Sequence, residues 1–71
     1  MIKDFKTILK ELMKSNGVNQ MALAGMVGVR QSQISNWLNG KSLPTFRAIR
    51  SICKTFRIDA NYLIGIDEKF N

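Results

Sequence analysis

The residues of this chain best placed to do chemistry are uncharged. From Gln31 to Asn36 the sequence reads Gln-Ser-Gln-Ile-Ser-Asn, and Asn39 follows close behind. Carboxamides and hydroxyls donate and accept hydrogen bonds without titrating, so they suit recognition better than proton transfer. If Ile34, Trp37 and Leu38 are turned inward on a helix at 100° per residue, Ser32, Ser35, Asn36 and Asn39 fall on the opposite side. Gln31 and Gln33 then flank that side near the helix start. An outward helix face is ordinarily Glu, Lys and Arg, which favour helix and solubility. This one is rich in Ser and Asn, which are poorer helix formers. A DNA major groove accounts for the choice, because Gln and Asn bond an adenine edge at two points and Ser reads several edges. The plain alternative is a solvated helix face.

Charge surrounds this ridge on one side of the ledger only. The chain has 71 residues, a net charge of +6 and 45% hydrophobic residues, enough for one packed core and too many for disorder. Between Leu12 and Ile58 there is no Asp or Glu, while Lys14, Arg30, Lys41, Arg47, Arg50, Lys54 and Arg57 all lie there. The acids sit towards the ends, at Asp4, Glu11, Asp59, Asp67 and Glu68. A one-signed span fits a polyanion: cations hold phosphates while neutral amides discriminate bases. An anionic membrane surface needs basic and bulky apolar faces exposed on one helix, and here the apolar faces are committed to a core.

Helices must position these groups. Phe5, Ile8, Leu9, Leu12 and Met13 follow the spacing of one buried face, and Asn16-Gly17 supplies a left-handed stop. Asn19 caps a second helix, about 20–27, with Leu23, Ala24 and Val27 inward and Gly28 ending it. The polar ridge belongs to a third helix, about 31–39, closed by Asn39-Gly40. Thr45 caps a fourth, with Phe46, Ile49, Ile52, Cys53 and Phe56 as its inner face. Asp59 caps a short fifth, with Tyr62 and Leu63 inward and Gly65 as its stop. Nothing favours strands, and no repeat or linker divides the chain. The expectation is an all-α, compact five-helix domain spanning residues 1–71.

Other chemistries find little support. There is no His, the acids are few and terminal, and no metal-ligand cluster or phosphate-cradling glycine loop is present, so neither an enzyme nor a cofactor or metal site is expected. Cys53 stands alone on an apolar stripe and reads as a small core residue; an internal disulfide is impossible. Trp37 reads as core rather than as a stacking residue, and Met13, Met21 and Met26 as core or core edge. No run spans a bilayer and no signal peptide is evident, so a cytoplasmic location is expected.

Gln20 to Asn39 resembles the helix-turn-helix of the lambda-repressor and Cro family (the Xre type). The likeness rests on Gln20 opening the first motif helix, Ala24 four later, Gly28 at the turn, and Val29, Ile34 and Trp37 as core positions. "NGK" followed by Pro44 matches what comes after the recognition helix, and the resemblance runs from Leu9 to Gly65. It implies a lambda-repressor-like fold and sequence-specific binding of a double-stranded DNA operator, as a transcriptional regulator of bacterial or phage origin, usually as a dimer and most often as a repressor. It also implies base contacts from Gln31, Ser32 and Asn36, with Gln33 added. Phosphate contacts fall to the helix starts and the loop: Asn19, Gln20, Arg30, Lys41, Ser42 and Arg47. Departures are instructive. Arg30 stands where the family has a capping Ser or Thr and cannot accept the bond, so it reaches a phosphate, a guanine or solvent. Gly25 inside the second helix costs roughly 1 kcal/mol relative to Ala, in return for close approach of a neighbour or of a phosphate. Tyr62, Ile64, Ile66 and Phe70 are candidates for a homodimer contact. The chain reads as a whole small Cro-like regulator or as the DNA-binding piece of a longer repressor. A second class of function stays open: an antitoxin or protein-interaction adaptor that keeps the fold.

Overall fold

The computed structural model describes residues 4–64. Its helices are α1 (Phe5–Asn16), α2 (Gln20–Val27), α3 (Gln31–Leu38), α4 (Phe46–Phe56) and α5 (Ala60–Leu63), and no strand occurs among the described residues. The architecture is the all-α, five-helix one expected from the sequence.

Every helix but α3 begins where an N-cap side chain can take up orphan N–H groups. Asp4, Asn19, Thr45 and Asp59 accept backbone N–H bonds at the starts of α1, α2, α4 and α5, at 2.8–3.1 Å. At the other end of α2, Gly28 takes φ 83°, a left-handed conformation that releases the chain into the turn before α3. The third helix ends one residue earlier than its apolar spacing suggested. Asn39 is its C-cap, its amide donating to the Ser35 carbonyl at 3.0 Å.

The core draws on every helix. Ile8 and Leu9 of α1, Leu23 of α2, Ile34 of α3, Ile52 of α4 and Leu63 of α5 are fully buried. α3 packs against α1 and α2, α4 against α2 and α5, and α1 against α5. Trp37 is buried as expected, and its ring meets Phe5 edge-on with centroids 6.1 Å apart. Ser51 adds a polar tie, its hydroxyl donating to the Val27 carbonyl at 3.1 Å and fastening α4 to the end of α2.

Four inward assignments are corrected. Phe46 is 90% exposed. It opens α4 off the face turned to the core; the buried seam is Ala48 and Ile52, with Ile49, Cys53 and Phe56 half-buried beside it. Met21 and Met26 are exposed, because Leu23, Ala24 and Val27 already fill the inward face of α2; Met13 is buried. Tyr62 is exposed while its neighbour Leu63 is buried.

Candidate nucleic-acid interface

α3 carries the ridge. Gln31, Ser32, Gln33 and Asn36 are all exposed, while Ile34 and Trp37 on the reverse face are buried. Asn39 is exposed and Ser35 half-buried, and the Ser35 hydroxyl accepts from the Asn39 side-chain NH2 at 3.4 Å. At eight residues α3 is about 12 Å long, and a helix with its side chains is about as wide as the major groove. Gln33 has a local duty as well. Its Oε1 accepts the Arg30 backbone N–H at 3.0 Å. Arg30, the N-cap residue, makes no side-chain cap bond and is exposed.

The cations expected around the ridge are all at the surface. Asn19 is tied down as the α2 cap, accepting from the Ala22 N–H at 2.8 Å, and half-buried Gln20 begins the helix behind it. Lys41 and Ser42 lie exposed in the loop after α3, with the Lys41 amide donating to the Asn36 carbonyl at 2.8 Å. Arg47 is exposed in the first turn of α4. With Arg50, Ser51 and Lys54 it lines an open basic hollow of about 350 Å³.

Sequence reasoning missed one cation here. Lys6 of α1 lies along the same loop, its Nζ 3.5 Å from where a side chain would begin at Gly40. Lys6 lies outside the acid-free span and far in sequence from Gly40, and only the packing of α1 on α3 brings it close. Gly25 is resolved in part: a methyl group there would meet nothing within 4 Å, so no neighbour in the chain requires the glycine. Cys53 is half-buried, and burial, with the Asp59 charge second, raises its thiol pKa.

A second exposed feature is apolar. Leu43 is 83% exposed and Phe46 90%. Phe46, Ile49, Arg50, Cys53 and Ala60 line a hollow of about 170 Å³. Asp4, Phe5, Leu43, Pro44, Ile49 and Ile64 line a neighbouring one of about 380 Å³. Ile49 belongs to both, so the apolar surface is continuous. Of the residues expected at a dimer contact, Tyr62 and Ile64 are exposed, whereas Ile66 and Phe70 lie outside the described residues.

A model of the helix-turn-helix domain matches residues 8–65. The chain belongs to the helix-turn-helix domain family. Within it the fold is that of the lambda-repressor-like regulators. The P22 c2 repressor protein, solved in complex with a synthetic operator, superposes with a TM-score of 0.84 at 25% identity, covering 92% of this chain and 98% of that one. The restriction-modification controller protein C.AhdI from Aeromonas hydrophila matches at TM-score 0.76 and 24% identity, over 83% of this chain and 89% of that one. The Antitoxin PezA of Streptococcus pneumoniae serotype 4 (strain ATCC BAA-334 / TIGR4) is 29% identical over 63 residues, or 89% of this chain. The match spans only 40% of that curated relative's length. This helix-turn-helix family and fold are those of DNA-binding transcription regulators, which are not enzymes. Among the described residues no helix is long and apolar enough to cross a membrane.

Proposed function

We propose that this helix-turn-helix protein is a sequence-specific transcriptional regulator of Cro or phage-repressor type, acting in the cytoplasm as one DNA-binding domain and without catalysis. It lays α3 in the major groove of an operator and represses by occupying a promoter. The carrying observation is the ridge itself: Gln31, Ser32, Gln33 and Asn36 are exposed and uncharged on a helix held by Ile34 and Trp37. Neutral amides at that place cost helix propensity and gain base discrimination. Phosphates are held by the N–H groups at the start of α2, by Asn19 and Gln20, and by Arg30, Lys41, Ser42 and Arg47, with Lys6 joining them beside the loop. The likeness to an operator-bound repressor supports the same reading.

Binding to duplexes selected from a random pool tests it. Asn36→Ala should lose about 1–3 kcal/mol on the matched duplex and little on a scrambled one. Gln20→Ala should weaken both alike, and both affinities should fall steeply with salt. Equal losses on the two duplexes for Asn36→Ala would remove its role.

Dimerisation is the second part of the proposal. The apolar surface through Leu43, Phe46, Ile49 and Ile64 supports a homodimer on a two-fold operator, with Asp4 at one margin and Arg50 at the other able to meet across the symmetry axis. The likeness to an antitoxin supports a different reading, an antitoxin or adaptor whose apolar surface takes another protein. A protein partner recovered together with absent DNA binding would favour it.

A further inference from the structure

We infer that Gln33 reads DNA through its amide nitrogen alone, and so selects a base-edge acceptor, guanine first, at one operator position. The inference rests on the groove reading above and narrows it. It starts from a difference among the helix starts. Asp4, Asn19, Thr45 and Asp59 cap their helices with a side-chain oxygen, but α3 begins at Arg30, whose guanidinium has no acceptor. The tie comes instead from the far side of the first turn, where Gln33 Oε1 accepts the Arg30 N–H at 3.0 Å. Turning the carboxamide over would set its NH2 against that N–H, donor to donor. The oxygen therefore stays inward, and the exposed end of Gln33 offers donors only.

That restriction has a readable consequence. A free glutamine pairs adenine at N6 and N7 with both ends of its amide, as Gln31 and Asn36 remain able to do. Gln33 has only the NH2 to give. Guanine answers it with two acceptors, O6 and N7; thymine has only O4, adenine only N7 beside its own N6 donor, and cytosine only a donor in the major groove. The same contact that holds the first turn of α3 thus fixes the sense of the hydrogen bond made to the operator.

The test compares duplex pools selected by the full chain as wild type, Gln33→Met and Gln33→Glu, with thermal unfolding measured for each. The position read by Gln33 is the one whose preference disappears with Gln33→Met. There the wild type should enrich guanine over cytosine by about tenfold. Gln33→Glu keeps an oxygen on the Arg30 N–H and replaces the donor by a second acceptor. It should melt no lower than wild type and shift that one position to cytosine, whose amino group donates. Preferences are taken as ratios within each pool, so the general weakening from an added negative charge cancels. Adenine as the wild-type preference there, or a Gln33→Glu pool identical to wild type at every position, would overturn the inference while leaving groove reading intact. A wild-type pool with no preferred sequence at all would overturn groove reading itself, and this inference with it.

Discussion

Replacing Gly25 by Ala should make this protein more stable. The residue lies inside α2 and is exposed, and its backbone is helical rather than left-handed. A Cβ built there meets no atom within 4 Å, so the substitution brings no clash. What changes is the unfolded chain, which loses the extra freedom of glycine, and the helix, which gains a better former. Those effects amount to about 0.5–1 kcal/mol. In a domain of this size that raises the thermal midpoint by roughly 2–8 °C. Circular dichroism during heating measures it, and a urea titration with an unchanged slope and a higher midpoint shows that the gain is in stability. An unchanged or lower midpoint would refute the reasoning, since it would mean that α2 needs the glycine for packing that the structure does not contain. The same variant separates the roles left to Gly25. More stability with weaker binding to matched and scrambled duplexes alike assigns it to close approach of the phosphate chain.

Three further outcomes are expected. Hydrogen bonding from Thr7 holds the Asp4 carboxyl below its ordinary 3.8, so its capping contribution is full above that value and is lost as the pH falls through the lowered one. Asp4→Asn keeps a capping oxygen but cannot titrate, and its stability, followed by urea midpoints from neutral to strongly acid pH, should fall less steeply at the acid end. Arg57 closes α4 at φ 56°, a left-handed conformation unfavourable to any side chain, so Arg57→Gly should stabilise by about 1 kcal/mol, seen as a higher thermal midpoint. Phe46→Ser removes the most exposed aromatic of the apolar surface; the monomer should unfold as before, while sedimentation on operator duplex should show one chain where the wild type shows two.

The sequence displayed α1 and α3 almost completely, because each has a single apolar stripe whose phase can be read. Ile8, Leu9, Ile34 and Trp37 are buried where 3.6-residue spacing puts them. In α2 the inward residues Leu23, Ala24 and Val27 could be read, but the outward ones could not. Gln20–Val27 is apolar nearly all round, so spacing could not say that Met21 and Met26 face solvent. In α4 the apolar arc is wide and only part of it is covered: Ala48 and Ile52 are buried, whereas Phe46 lines an open hollow with Ala60 of α5. The neutral ridge and the acid-free span were legible because both are patterns along the chain. Lys6 beside Gly40 was not, since it arises from α1 packing on α3. The tie from Gln33 was hidden for another reason. The usual capping signature pairs Gln with a Ser or Thr three residues earlier, and Arg30 stands in that place.

The two sides of α3 have separate employers. Ile34 and Trp37 answer to the interior, and Gln31, Ser32 and Asn36 answer to whatever enters from outside. Residues 31, 32 and 36 can therefore drift through many combinations while the scaffold stays as it is. Gln33 is the exception. Any change there except to Glu gives up the oxygen on the Arg30 N–H and loosens the start of the helix, which makes it the slowest letter of the ridge to evolve.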